Sequence, residues 1–414
     1  MLLKFSAYGF LKNLRFFEPF LYLFFLENGL SFFQIGLLIG LREIFVNLLE
    51  IPTGAIADLT GRRRAMAFAF ASYIISFSIF YLTSSFPLFV VAMILFAGGE
   101  AFRSGTHKSM IMEYLDIEDR EEEKVTYYGK TRSASRLGSA LSALLAALIV
   151  YFSGNYNVIF LATILPYSLD LILMLTYPRE LDGLEGKARP KSLLRETVLH
   201  FKQSFRSILE TPELAKTLNN ASIFDSIFKI GKDYLQPILR AQALALPFLL
   251  FIEDSQSRAS ILIGIVYFFI YIGSFVSSRT SSSFMQKVGD MPRALNALLW
   301  INAAALLAAG LSLQADFRPL AIFVFLIFYV LYNLRKPMVV GFLGDRIENR
   351  QRATVLSVHS QLRSLFGMII APIFGLLADN LGLPAIFFFA FALLAVTGLF
   401  LSFGEQVKEE GEAT

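Results

Sequence analysis

The chain has 414 residues, 55% of them hydrophobic and 17% charged, whereas soluble domains carry about 25% charged residues. With 43 Phe residues, much of its surface must face lipid. The absence of Cys excludes disulfides, thiolate metal sites and Cys nucleophiles, and three His residues argue against a multi-His metal site. A net charge of +4 fits basic cytoplasmic loops better than nucleic-acid binding, and no motif calls for a cofactor.

Twelve segments are apolar enough to cross a membrane as helices, which takes roughly 20 residues each. The predicted spans, numbered 1 to 12 in chain order, are 5–26, 32–56, 65–84, 87–110, 129–152, 156–177, 215–237, 260–280, 293–313, 319–341, 354–377 and 384–403. The sequence therefore predicts an all-α membrane protein with 12 transmembrane helices.

The loops between the predicted spans differ strongly in basic residues. If the N-terminus lies inside, the inner segments hold 19 Lys and Arg residues, and the outer loops hold only Arg240, Arg258 and Arg318. Because basic loops stay on the cytoplasmic side, both termini are expected to be cytoplasmic.

A polar stretch at 178–214 separates two groups of six predicted spans. It is expected to be a cytoplasmic linker between an N-terminal bundle at 1–177 and a C-terminal bundle at 215–404, with a cytoplasmic tail at 405–414. Apolar residues recur in the linker at helical spacing and predict an amphipathic helix on the membrane surface. They are Leu194, Val198, Phe201, Phe205 and Ile208.

The two predicted bundles carry weak signs of an internal repeat. Gly61 has a counterpart at Gly289, an offset of 228 residues, and the same offset carries Arg136 to a position next to Arg363. Duplicated halves are the usual architecture of a transporter whose binding site lies at the repeat interface.

The strongest motif lies between spans 2 and 3. There Gly54 is followed four residues later by Asp58, and Gly61-Arg62-Arg63 comes next. This run resembles the signature loop between helices 2 and 3 of the major facilitator superfamily. The preceding Glu-Ile-Pro-Thr narrows the resemblance to a bacterial branch with a Glu-x-Pro-Thr-Gly-x-x-Ala-Asp loop. The resemblance implies two pseudo-symmetric six-helix halves and a gating loop that latches one conformation.

The gating motif also has a physical logic of its own. Gly54 and Gly61 let backbones approach closely, Asp58 can face the positive end of a neighbouring helix, and Arg62 and Arg63 can hold carbonyls, carboxylates or lipid phosphates. The simpler interpretation is a basic anchor on the inner face. A latch is favoured because an anchor needs neither the Asp nor the glycines.

Several ionisable residues lie within the predicted spans, where they are costly and usually face a cavity or a partner. Basic side chains outnumber acidic ones, and Arg suits carboxylate or phosphate because its planar fork binds two oxygens. We therefore expect an anionic substrate; purely structural ion pairs, or a zwitterionic substrate, are the alternatives. The candidate substrate-binding residues are Arg15, Arg42, Arg103, Arg136, Arg335 and Arg363.

Coupling to protons requires a group that changes its protonation state as access alternates. Glu18, Glu43 and Asp225 are the candidates, although a structural ion pair is an alternative for each of them. Glu18 is the first choice because it precedes Pro19, where a helix bends and local mobility is expected.

These features together predict a monomeric secondary transporter, not an enzyme, in the bacterial inner membrane. Its expected partners are a small organic anion, protons and the lipid bilayer. A multidrug or metabolite exporter with gating ion pairs is the runner-up, and a passive facilitator is a further alternative. The fifth span lacks the Gly/Pro-rich pattern linked with antiporters, so export by proton antiport has no motif support.

Overall fold

The computed structural model describes residues 1–183, 212–246, 251–345 and 352–404. The described residues form α-helices joined by short turns, with no β-strand among them. The helices are α1 Leu2–Leu11, α2 Leu21–Glu27, α3 Phe32–Thr60, α4 Arg62–Leu82, α5 Phe86–Arg103, α6 Thr106–Ile117, α7 Lys124–Ser153, α8 Val158–Leu175, α9 Pro212–Gly231, α10 Leu235–Ala245, α11 Ser255–Arg279, α12 Ser281–Val288, α13 Met291–Gln314, α14 Arg318–Asp345, α15 Arg352–Leu381 and α16 Leu383–Phe400.

Ten helical segments in the described part of the chain are long and apolar enough to cross a membrane. They coincide with ten of the twelve predicted spans, so the all-α membrane fold is confirmed. Three predicted spans are not the expected continuous helices. Span 4 turns at Gly105, between α5 and α6. Spans 1 and 7, the two that match none of the ten segments, are broken: span 1 by the non-helical stretch 12–17 and a 3-10 turn, and span 7 by a 3-10 turn. In span 1 the turn is Glu18–Phe20, where Pro19 removes a backbone donor. In span 7 the turn Lys232–Tyr234 follows Gly231, a poor helix former.

The chain forms two compact units. Among the described residues, unit 1 comprises 1–183, 230–246, 251–272 and 367–381, and unit 2 comprises the rest. Unit 1 thus contains the first six spans and also segments of spans 7, 8 and 11. The division into bundles at 1–177 and 215–404 stays a prediction, and most of the linker and the tail lie outside the described residues.

A seam of glycines joins α3 to the 367–381 segment of α15 within unit 1. A Cβ at Gly40 would lie 3.0 Å from the carbonyl oxygen of Met368, and one at Gly36 would overlap the carbonyl of Ala371. On the other side, Gly375 lies against the backbone of Phe32. Small residues let membrane helices pack backbone to backbone, and Gly36-x-x-x-Gly40 is the sequence signal for such a contact.

The seam lies near the start of α3. We call this end of unit 1 the far end. The opposite end, which carries Gly61 between α3 and α4, is called the motif end. At the far end, the carboxylate of Asp379 accepts hydrogen bonds from the backbone N–H groups of Phe32 and Phe33, at 2.9 and 2.8 Å. Because the first N–H groups of a helix lack partners within it, Asp379 caps α3 and fixes it to α15.

Unit 2 has an apolar core where α9, α13, α14 and α15 meet. Its buried residues include Leu218, Leu298, Phe342 and Val355, together with Phe403 after α16. Hydroxyls of α9 also contact α15: Ser222 and Ser226 donate to the carbonyl oxygens of His359 and Arg363. These contacts hold the polar residues of α9 and α15 in register.

Candidate functional site

Glu100 of α5 is shared by two arginines in unit 1. Its two carboxylate oxygens accept hydrogen bonds from Arg15 at 2.9 Å and from Arg103 at 2.7 Å. The Tyr73 hydroxyl donates to Glu100 at 2.7 Å and accepts from Arg103 at 3.1 Å. We call these four residues the Glu100 cluster. One carboxylate between two guanidinium groups leaves a net positive charge in it.

The cluster forms because α4 and α5 approach closely and span 1 is broken. Gly99 lies against the Tyr73 ring, where a Cβ would be 2.9 Å away. Arg15 stands in the non-helical stretch between α1 and α2, which frees its side chain to reach α5. Two of the predicted substrate-binding residues, Arg15 and Arg103, are thus brought together by one acid, Glu100.

Glu18, the favoured proton-coupling candidate, lies beside the turn that breaks span 7. Lys232 lies 3.4 Å from Glu18 and 2.9 Å from Asp233. Gln236 bonds the same region twice, donating to the carbonyl oxygen of Glu18 at 3.0 Å and accepting from the N–H of Tyr22 at 2.8 Å. All these residues belong to unit 1, so spans 1 and 7 are joined near their breaks.

The two broken spans match each other in register. The 3-10 turns begin at Glu18 and Lys232, the helices after them begin at Leu21 and Leu235, and both offsets are 214 residues. Glu18 therefore pairs with the residue at its own equivalent position. Gly61 and Gly289 also match, since each caps a helix with φ near +100°, at +102° and +101°. This is the offset of 228 that the sequence indicated, and the repeat offset therefore varies along the chain.

Arg42 and Glu43 are adjacent on α3 and form an ion pair of 3.1 Å. Glu43 is almost completely buried, and its side chain lies beside Gly367 of α15. A charged pair at this depth needs its partners close, because desolvation penalises each ion. Arg136 lies half-buried on α7.

Arg335 of α14 is a fully buried cation of unit 2, with 1% of its surface exposed. It donates to the Asn220 side chain at 2.7 Å, and its guanidinium lies 4.0 Å from the Phe224 ring centre. Within the part of the chain that is described, no carboxylate forms an ion pair with it. Its surroundings are the aromatic and amide groups of α9 and the ring of Phe403, whose centre lies 5.5 Å away.

The other two candidates of unit 2 lie between α9 and α15. Asp225 is 3.5 Å from the Nε2 atom of His359, and both side chains are buried. Arg363 donates to the Ser360 hydroxyl at 3.1 Å. The packing of α9 on α15 therefore places Asp225, His359 and Arg363 along one contact of unit 2.

The gating motif is held at the motif end of unit 1. Arg62 pairs with Glu113 at 3.1 Å and with Asp58 at 3.6 Å. The backbone N–H of Arg63 donates to Asp182 at 2.9 Å, so Asp182 occupies the helix N-terminus for which Asp58 was the expected carboxylate. Asp58 is more than half exposed instead. Gly54 lies in α3 with open space around its Cβ position. The latch role stays a prediction.

Comparison with known proteins identifies the family. The sequence model of the Major Facilitator Superfamily matches residues 5–228. The chain belongs to this superfamily. It is 22% identical over 405 residues to the uncharacterized MFS-type transporter YxaM of Bacillus subtilis (strain 168), with 95% of this chain and 92% of that protein covered.

Solved superfamily structures share the fold at low sequence identity. The nucleoside transporter NupG matches with a TM-score of 0.76 at 12% identity, over 97% of this chain and 98% of that chain. A D-xylose-proton symporter matches with a TM-score of 0.70 at 16% identity, over 97% of this chain and 96% of that chain. The protein is therefore a multi-pass secondary transporter of the superfamily and not an enzyme.

Proposed function

We propose that this transporter carries a small organic anion, a carboxylate or a phosphate-bearing metabolite, by alternating access in the bacterial inner membrane. The main support for an anionic substrate is the excess of cations over carboxylates among the described residues at membrane depth. Glu100 serves both Arg15 and Arg103, and Arg335 has an amide partner rather than an acid. A buried cation without a carboxylate is costly, and an anionic substrate relieves that cost.

The far end of unit 1 is closed by the contacts of α3 with α15 and of span 1 with span 7. With both termini cytoplasmic, as loop charge indicates, this end faces the periplasm. These contacts must break before a substrate can pass the far end. They therefore form a gate on the periplasmic side of the proposed pathway.

Each candidate proton-coupling acid is paired with a basic side chain, an arrangement that is consistent with proton coupling. Glu18 has Lys232, Glu43 has Arg42 and Asp225 has His359. The Glu18 pair crosses the periplasmic gate, so opening that gate separates the acid from its cation and favours protonation. Solved relatives of the same fold include a D-xylose-proton symporter, which supports coupling of this kind.

The test is transport into proteoliposomes under an imposed pH gradient, with matched carboxylates, phosphate monoesters, sugars, nucleosides and cationic drugs as substrates. We expect a carboxylate or phosphate monoester to accumulate only when the gradient is present. Arg136→Gln or Arg363→Gln should abolish that uptake without unfolding the protein, and Arg318→Gln at an exposed ion pair serves as control. Unchanged anion uptake in both variants would contradict the proposed role of these arginines.

A second candidate is an exporter of drugs or metabolites in which the charges are gating pairs. The ion pairs Arg42–Glu43 and Lys232–Glu18 favour it, because both lie where α3 and span 7 contact the rest of unit 1. In the same assay this function predicts transport of cationic or neutral drugs, with no anion transported.

A further inference from the structure

A cavity of about 160 Å³ lies in unit 1 between α1, the α5–α6 turn and α7. We call it the cationic pocket because four basic side chains line it. They are Lys12, Arg103, Lys108 and Arg132. None of the described residues in its lining is acidic. A water molecule needs about 10–15 Å³ of such volume, so the pocket holds a ligand with on the order of ten non-hydrogen atoms.

Backbone geometry builds the pocket. Gly105 has φ = +74°, which ends α5 and turns the chain into α6, so that Arg103 and Lys108 both reach the cavity. On the other wall, Gly9 lets α1 lie against α7, since a Cβ there would be 2.8 Å from the Ser135 hydroxyl. The walls are therefore set by glycines at close contacts, and the charged side chains project from separate helices.

Most of this positive charge has no carboxylate partner in the described structure. Arg103 pairs with Glu100, which also serves Arg15. Lys108 and Arg132 lie 5.6 and 5.9 Å from the centre of the Tyr128 ring, and neither forms an ion pair with a described carboxylate. Like charges held together without acids repel one another, so this arrangement favours a bound anion.

One further carboxyl group acts on the pocket from outside its lining. Asp170 of α8 is fully buried, neither of its oxygens has a hydrogen-bond partner, and the cations that face it are Lys12 and Arg103. Five basic groups and two acidic groups lie in this region: the four lining cations and Arg15, against Glu100 and Asp170. With all seven groups ionised, three positive charges lack a counter-charge, which exceeds what a monoanion neutralises.

We propose that the cationic pocket binds a small phosphate monoester, with the phosphate among its four cations. Phosphate monoesters carry a charge of about −1.5 to −2 at pH 7 and three acceptor oxygens. Cations on four separate chain segments surround a tetrahedral group better than a planar carboxylate. Phe5, Tyr8, Ile111 and Tyr128 supply apolar surface for the organic part. This proposal rests on the proposed function in one respect only: it takes the phosphate monoester to be the transported substrate.

Binding to purified protein in detergent tests the pocket without transport. The probes are phenyl phosphate and phenyl sulfate, which share a shape but differ in charge. We expect phenyl phosphate to bind at least tenfold more tightly, and Lys108→Gln or Arg132→Gln to weaken it about tenfold each, as for a lost charge-assisted contact. Lys130→Gln is the matched control, because Lys130 is exposed on α7 and does not line the pocket.

Three results would overturn the proposal: no binding of phenyl phosphate at millimolar concentration, equal affinity for both probes, or an equal loss in Lys130→Gln. Both variant sites are solvent-exposed, and an unchanged unfolding temperature shows that the variants are folded. If phosphatidic acid displaces phenyl phosphate at lower concentrations than phenyl phosphate itself binds, the site belongs to lipid and the proposal fails. Phenyl phosphate binding without anion transport would sink the proposed function alone, whereas anion transport unaffected by Arg132→Gln would sink the pocket alone.

Discussion

Tyr22 and Gln236, which are 214 positions apart, hydrogen-bond to each other from equivalent places in two broken helices. The same Gln side chain donates to the carbonyl of Glu18, so one amide satisfies backbone groups that the break in span 1 leaves without helical partners. Breaks in paired helices expose backbone at membrane depth, where unsatisfied groups are costly. Here the Gln236 amide of span 7 supplies partners that the backbone of span 1 lacks.

We expect Gln236→Leu to destabilise the protein by about 1–3 kcal/mol, because two buried backbone groups lose their partner. Thermal unfolding in detergent measures this loss. Gln314→Leu, at the exposed last residue of α13, is the control. Equal unfolding temperatures for the two variants would show that the Gln236 contacts contribute nothing.

Glu18→Gln should keep substrate exchange across the membrane but lose substrate accumulation driven by a pH gradient. The variant removes the titratable group but keeps the size of the side chain, so counterflow without a gradient is expected to continue while uptake driven by a pH gradient is lost. Glu122→Gln, in the exposed turn before α7, should change neither. Gradient-driven uptake at the original rate in Glu18→Gln would remove Glu18 from the coupling mechanism.

The glycine seam gives a prediction about packing. Gly36→Ala places a methyl group against the Ala371 carbonyl, and overpacking of this kind costs about 1–3 kcal/mol. Gly129→Ala on α7 meets no atom within 4 Å and is expected to be neutral or slightly stabilising. Thermal unfolding of the two variants compares them directly, and equal stability would mean that the seam is not tightly packed.

Asp379→Asn should loosen the far end, because an amide cannot accept both hydrogen bonds from the start of α3. Loss of a helix cap costs about 0.5–2 kcal/mol. The chain has no Cys, so Ala371→Cys can report access to the seam by its reaction with a membrane-impermeant maleimide. We expect faster labelling when Asp379→Asn is added.

The matched change is Asp316→Asn, at an exposed acid that pairs with Arg318. It should leave the labelling rate of Ala371→Cys as it was. The same rate in both backgrounds would show that Asp379 does not hold the far end closed.

The sequence by itself determined the class of protein, nine of the twelve spans as continuous helices, and the family. Those features depend on local properties: runs of apolar residues, basic loops and a motif of consecutive residues. It also placed charged residues within the spans. It indicated a bend at Pro19, but neither the break at Lys232 nor the role of Gly36 and Gly40, although the Gly-x-x-x-Gly spacing was a visible signal.

Only the tertiary structure decided which charges meet. Arg15 finds Glu100 from 85 residues away, and Glu18 finds Lys232 from 214 residues away. Hydropathy fixes how deep a residue lies, but the side of a helix that faces another depends on backbone contacts such as those of Gly36 and Gly99. Ion pairing changes steeply over a few ångströms, so it follows from helix packing and cannot be read from spacing along the chain.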